Sequence, residues 1–180
     1  MNLKLVKPNK KYLPSVYEAV SEYQKEPSEF EIIAVSKMIV AAENNFKDYF
    51  ENTENDSLGI NLKSGYVAHT VFWLVDNDIY IGTFNLRHSL TPALAKIGGH
   101  IAYQIRPSKY RQGYAYEGLK LCLKEAAKMG INKALITCNA DNISSYSVMH
   151  KVMLEYGGYE DEIYKEDNLM EKRVWIRTEN

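Results

Sequence analysis

GGHIAYQIRPSKYRQGYAYEGLKLCLKEAA, residues 98–127, reads as a strand, a basic glycine turn and an amphipathic helix in immediate succession. Ile101, Tyr103 and Ile105 alternate with smaller or polar partners, which is the period of a strand, and Pro107 closes the run because it cannot donate to a sheet ladder. From Ala115 the apolar positions switch to helical spacing. Ala115, Leu119, Cys122, Leu123, Ala126 and Ala127 then share one face. Between strand and helix lies Ser108-Lys109-Tyr110-Arg111-Gln112-Gly113-Tyr114, a cationic turn that opens directly into the helix.

The first N–H groups of a helix have no internal partner, and the helix dipole adds positive potential there. A glycine lets the backbone approach an anion, so several amides can converge on a phosphate. Lys109 and Arg111 add full charges. The same pattern also serves an ordinary strand-to-helix connection, because one glycine is a weak phosphate signature.

Working outward, Leu3 to Val6 forms a first strand stopped by Pro8, and Leu13, Val16, Tyr17 and Val20 repeat at helical spacing. Residues 30–50 supply one or two further helices, and Glu51 to Ser57 (ENTENDS) reads as an exposed polar loop. Tyr66 to Val75 and Ile79 to Arg87 form a hairpin through Asp76-Asn77-Asp78. A loop containing Pro92 leads into the strand of the opening stretch. Gly130 ends its helix, and a buried strand at 133–138 feeds a helix over 142–156. Strands at 159–164 and 170–177 finish the chain. The order predicts one α/β (α+β) domain over residues 1–180, with a mixed, mostly antiparallel twisted sheet of about seven strands flanked by about four helices. Its parallel pair is 100–106 with 133–138, joined by the helix as a crossover. An antiparallel hairpin before the glycine turn argues against a Rossmann-type nucleotide site, whose glycines come early in a parallel sheet.

A net charge of −1 and a pI near 6.4 exclude a general nucleic-acid binder, yet they permit a local basic patch that grips one phosphorylated molecule. No apolar run is long enough for a membrane span, and the start MNLKLVKPNKKY lacks a signal-peptide core, so the expected location is cytoplasmic. Cys122 and Cys138 read as reduced core residues, and no His, Cys and carboxylate cluster suggests a metal.

The string Ile101 to Glu117, IAYQIRPSKYRQGYAYE, resembles the acetyl-CoA-binding segment of the GCN5-related N-acetyltransferase (GNAT) superfamily. That hallmark is Gln or Arg, two residues, Gly, one residue, then Gly or Ala. Gly113 and Ala115 match its last anchors, while Tyr110 stands where Gln or Arg is usual. A second match is Asn142 followed by Ser145, the residues that open the next helix beside the pantetheine arm in that family. The resemblance spans roughly residues 66–177, with the cofactor-binding core over 98–158.

The resemblance implies the GNAT fold and acetyl-CoA as co-substrate. The thioester would lie along the main chain of Tyr103, Gln104, Ile105 and Arg106, where a bulge frees amides. The diphosphate would sit on the amides of Arg111, Gln112, Gly113, Tyr114 and Ala115, with Lys109 and Tyr110 nearby, and Asn142 and Ser145 would touch the pantetheine. Where many members carry an acid tyrosine this chain has Met149; Tyr146, on nearly the same helix face, is the candidate substitute. His100, at the start of the cofactor strand, is the candidate base, with His88 as a second; Glu117 reads as a helix-dipole residue. The implied reaction is direct transfer to a primary amine, on a small molecule or a peptide, in a ternary complex. Regions 24–65 and 88–97 would shape the acceptor site, and the terminal strands could pair two copies. A non-catalytic acyl-CoA-binding or sensing module is the alternative reading.

Overall fold

The structure, a computed structural model, describes residues 2–179. In chain order the strands are β1 (Leu3–Val6), β2 (His69–Asp76), β3 (Ile79–Arg87), β4 (Ile101–Ile105), β5 (Lys133–Asn139), β6 (Gly158–Glu166) and β7 (Leu169–Arg177). The helices are α1 (Leu13–Lys25), α2 (Ile33–Glu43), α3 (Tyr49–Leu58), the short α4 (Pro92–Lys96), α5 (Tyr114–Lys128) and α6 (Ile143–Tyr156).

The β2–β3 hairpin is the centre of the molecule. Asn77 and Asp78 both take positive φ, as a two-residue type I′ turn requires. Both strands are buried nearly throughout because both faces are covered. Phe72 and Leu74 point into a core shared with α5 and α6, through Leu119, Leu123, Val152 and Met153. Their neighbours Trp73 and Val75 point the other way, into a second core with Val16, Val20, Met38 and Tyr49 from α1–α3. Alternation along one strand thus feeds two separate apolar clusters.

The seven strands of the expected fold are present, and two further helices join the expected four. One is α3, which occupies the stretch read as a polar loop. Its sequence is polar, but Tyr49 stacks on Trp73 at 6.1 Å between ring centroids, Phe50 meets Trp73 edge-on at 6.3 Å and Phe46 meets Tyr49 edge-on at 5.3 Å, so aromatic anchorage at the first turn holds the helix against the sheet. The second difference lies in the sheet. The expected parallel pair is not laddered: β1-β2-β3-β4 form one antiparallel sheet and β5-β7-β6 another. Strands β4 and β5 touch only at one end, and that departure creates the site.

Candidate functional site

At the joined end, the His100 N–H donates to the Leu135 carbonyl at 2.6 Å, and the Leu135 N–H donates to His100 Nδ1 at 3.0 Å. The Gly98 N–H donates to Thr137 Oγ1 at 2.8 Å, and Arg87 Nη1 spans the Gly98 and Gly99 carbonyls at 2.8 and 2.9 Å. Gly99 permits the approach: at φ +58° its backbone suits glycine, and a Cβ would lie 2.4 Å from the Leu135 oxygen. Burial, and then the Arg87 charge, push the His100 imidazole down to about 4. A neutral ring fits its task, since Nδ1 accepts a backbone N–H.

Beyond this joint the two strands part. Hydrogen bonds from the Arg87 N–H to the His100 carbonyl and from the Arg106 N–H to the Ile81 carbonyl fix the β3–β4 register. The amides of Ala102, Gln104 and Arg106 therefore face β3, while those of Tyr103 and Ile105 face the opening. No register shift occurs between β3 and β4; the irregularity lies in the β2–β3 pairing, where Leu74 faces Gly82, Val75 faces Tyr80 and Ile81 of β3 is left without a partner. The expected bulge is replaced by the parting of β4 from β5, which frees the same amides.

The opening widens into a cleft of about 780 Å³. Of the sequence-derived cofactor residues, Tyr103, Gln104, Ile105, Lys109, Tyr110, Arg111, Gly113, Tyr114, Ala115, Asn142 and Ser145 line it, and Arg106 and Gln112 do not. Arg106 turns inward instead. Its guanidinium grips Glu22 of α1, with Nε at 3.1 and 3.0 Å from the two carboxylate oxygens, and also reaches Ser15 and the Tyr80 carbonyl. Ser108 donates to the same carboxylate from its N–H and its hydroxyl. Burial would raise the Glu22 carboxyl, but these partners hold it below the usual range, and the basic turn is thereby tied to α1. Gln112 bonds back to the Ser108 carbonyl.

In the turn, Arg111 and Gly113 take φ of 59° and 83°, and α5 starts at Tyr114 with no side-chain cap. None of the amides of residues 111–116 is taken by a backbone acceptor, whereas the Glu117 N–H already bonds to the Gly113 carbonyl. A Cβ at Gly113 would meet nothing within 4 Å, so the space in front of these donors is open. Free amides of lining residues Arg111, Gly113, Tyr114, Ala115 and Tyr116, a helix dipole and two cations thus stand on one side of the cleft. Opposite, Asn142 caps α6 by accepting the Ser145 N–H at 3.0 Å. Tyr103 Oη lies 3.1 Å from Ser145 Oγ, and its ring stacks on Phe84. Burial raises the Tyr103 hydroxyl well above its usual value, with the Ser145 contact opposing, so it stays protonated. Ser145 Oγ also lies 3.7 Å from the Met149 sulfur.

The two residues expected to move protons lie elsewhere. His100 sits at the joint. Tyr146 faces away from the cleft, donating to Glu160 at 2.8 Å beneath the Lys172 ammonium. Their places were open questions of pairing and rotation that spacing along the chain does not fix.

A second cavity, of about 350 Å³, lies across Tyr103 and shares Phe30, Asn142 and Ser145 with the first. Its walls come from the α1–α2 connection, β3, the joint, β5 and β7. Beyond the shared Tyr103, Asn142 and Ser145, sequence reasoning singled out none of its polar groups. Asn85 Oδ1 is buried without a partner. Glu171 is 6% exposed and has no charged partner among the described residues; burial raises its carboxyl, with only Thr137 opposing. The Cys138 thiol is likewise pushed up to about 11 by burial. Gln104 reaches the edge of this region, accepting the Ile32 N–H at 3.0 Å and so pinning the α1–α2 connection to β4. Among the described residues no group of His, Cys, Asp and Glu is placed to hold a metal ion, and no helix is long and apolar enough to cross a membrane.

Residues 3–154 match the profile of the family described as the acetyltransferase (GNAT) domain. No match was found among curated proteins. Solved structures share the fold at low identity. RimJ of Mycobacterium smegmatis, in complex with CoA-disulfide, superposes with a TM-score of 0.69 at 13% identity over 97% of this chain and 81% of its own. A GNAT-family acetyltransferase from Bacillus anthracis gives 0.63 at 21% identity over 100% and 97%. RimL, a ribosomal alpha-N-protein acetyltransferase in complex with coenzyme A, gives 0.62 at 12% identity over 100% and 97%.

Proposed function

Because the chain belongs to the acetyltransferase (GNAT) domain family, we propose that it transfers an acetyl group from acetyl-CoA directly to a primary amine in a ternary complex. The observation that carries this reading is the set of unpaired amides in the turn and first helical residues 111–116, at the wall of the cleft that Lys109, Arg111, Gly113, Tyr114 and Ala115 line. That array suits a diphosphate. The free amides of Tyr103 and Ile105 then lie further along the same cleft, where donors to the thioester carbonyl are needed as charge develops on its oxygen. Acetyl-CoA supplies the activated acyl group; the chain supplies position and protons.

The second cavity is the proposed acceptor site. It meets the first cleft at Tyr103, so an amine seated there would face the thioester. The Tyr103–Ser145 hydroxyl pair stands at this junction, and it is the proposed source of the proton for the departing thiolate. Met149, with a thioether only, cannot give one. RimL acts on the α-amine of a ribosomal protein, and a peptide amine or a small-molecule amine are both acceptors consistent with this cavity.

Calorimetry with acetyl-CoA, ATP and NAD on the wild type and on Gly113→Glu tests the reading. The substitution places bulk and negative charge before the amides, in open space that leaves packing intact. Acetyl-CoA alone is expected to bind, and the variant to lose at least roughly 100-fold in affinity, the worth of two charge-assisted hydrogen bonds. A folded variant that binds acetyl-CoA as the wild type does would refute the placement.

A further inference from the structure

We propose that Glu171 is the general base of the acceptor cavity, a catalytic residue that receives the ammonium proton of the incoming primary amine. This inference rests on the acetyltransferase reading above and adds the residue that makes the amine nucleophilic.

Glu171 lies on β7 opposite Asn139 of β5, on the same face as Arg173 and Trp175 and away from the Val174–Ile176 core face. Its side chain therefore enters the second cavity and not the packed interior. A carboxylate this buried is ordinarily paired with a cation. The cations near it are engaged elsewhere: Arg173 with Asp161 at 2.9 Å and the Ala95 carbonyl, Arg87 with the Gly98 and Gly99 carbonyls, Lys172 with the Tyr146 ring. Asn85 lines the same cavity with a buried Oδ1 that has no donor. The cavity thus holds one unneutralised carboxylate and one unmatched acceptor. The complement of that pair is a group with a positive charge and several N–H donors, which describes a protonated primary amine.

The step balances as follows. The ammonium gives one proton to Glu171, and the freed nitrogen lone pair forms the C–N bond to the thioester carbonyl carbon. When the C–S bond breaks, its electron pair leaves with the sulfur. The second nitrogen proton is lost as the amide forms, and the CoA thiolate takes up a proton. Glu171 then returns its own proton to solvent. An amine arrives almost fully protonated at neutral pH, so a group that removes this proton beside the thioester is what the chemistry needs.

The test uses release of CoA thiol from acetyl-CoA with spermidine, tyramine and a short peptide bearing a free α-amine, taking the best of the three forward. Glu171→Gln is expected to lower kcat at least roughly 100-fold while acetyl-CoA affinity stays within about twofold. Glu171→Asp, which keeps the charge but retracts it, should fall between. A Gln variant that keeps more than about a tenth of wild-type kcat overturns the assignment. A second arm needs no turnover: binding of n-butylammonium to the CoA-saturated wild type, expected to weaken at least roughly tenfold in either variant that folds. If acetyl-CoA binds but none of the three amines is turned over, the transferase reading fails for these acceptors, while this arm still decides whether Glu171 receives the ammonium; unchanged binding in both folded variants overturns the inference. Failure of the wild type to bind n-butylammonium overturns the inference whatever the variants do.

Discussion

The two clefts that meet at Tyr103 are built by opposite means. The larger is made from backbone amides of one continuous segment, 103–116, backed by the cap of α6. The smaller is assembled from the α1–α2 connection, β3, β4, β5, the start of α6 and β7, whose residues lie from Phe30 to Glu171 along the chain. A backbone-built site depends on φ values and on the start of a helix, so it tolerates exchange of most side chains. A side-chain-built site changes character with each substitution. That difference suits a fixed phosphorylated co-substrate on one side and a variable amine on the other.

After Glu171→Gln and Gly113→Glu, the seam between the clefts should give the next largest effect. Tyr103→Phe keeps the ring stacked on Phe84 and removes the hydroxyl beside Ser145. Steady-state kinetics should show kcat lower by roughly 10–100-fold. Acetyl-CoA affinity should change less than about threefold, the worth of one neutral hydrogen bond. An unchanged kcat would assign thiolate protonation to water and leave Tyr103 as a partition only.

The backbone character of the larger cleft predicts a smaller response to side-chain loss. Removing both cations, in Lys109→Ala with Arg111→Ala, should weaken acetyl-CoA binding by roughly tenfold at low salt, with most of the difference gone at high ionic strength. Tyr110→Ala should cost less than about threefold, because the amides carry the binding at that position whatever residue stands there. A loss of 100-fold from Tyr110→Ala would break the comparison, since it would make this cleft side-chain-built as well.

The same contrast explains what the sequence made legible. Gly113, Ala115, Asn142 and Ser145 sit at fixed offsets from a strand end or a helix start, and local geometry follows from local order. The β2–β3 hairpin was readable for the same reason, through its period and its Asn77-Asp78 turn. Helix α3 was not, because Glu51 to Ser57 is polar in itself and is held by Tyr49 and Phe50 against Trp73, a contact more than twenty residues away. The parting of β4 from β5 depends on Gly99 lying against Leu135, which no pattern within either strand announces. Glu171 differs in sequence from neither Glu160, Glu162 nor Glu166; only the register of β7 on β5 places it in a cavity.

His100 gives the smallest effect on catalysis and the clearest check on where the clefts end. Its sequence position made it a candidate base, but its Nδ1 already accepts the Leu135 N–H, and burial holds the ring neutral with a folded pKa of about 4. An unfolded histidine titrates near 6.5, so the unfolded chain binds the extra proton first. Stability is therefore full above about pH 6.5 and declines as pH falls from there toward 4, where protonation would also aim an N–H at the Leu135 N–H. His100→Asn, whose Oδ1 can take over the Nδ1 role, should flatten thermal stability across that window relative to the wild type. At neutral pH it should leave acetyl-CoA binding and kcat within about threefold, the scale of one neutral hydrogen bond. A tenfold loss of kcat in a variant that melts normally would return His100 to the reaction. It would also mean that the joint of the two sheets, and not only their open end, belongs to the acceptor site.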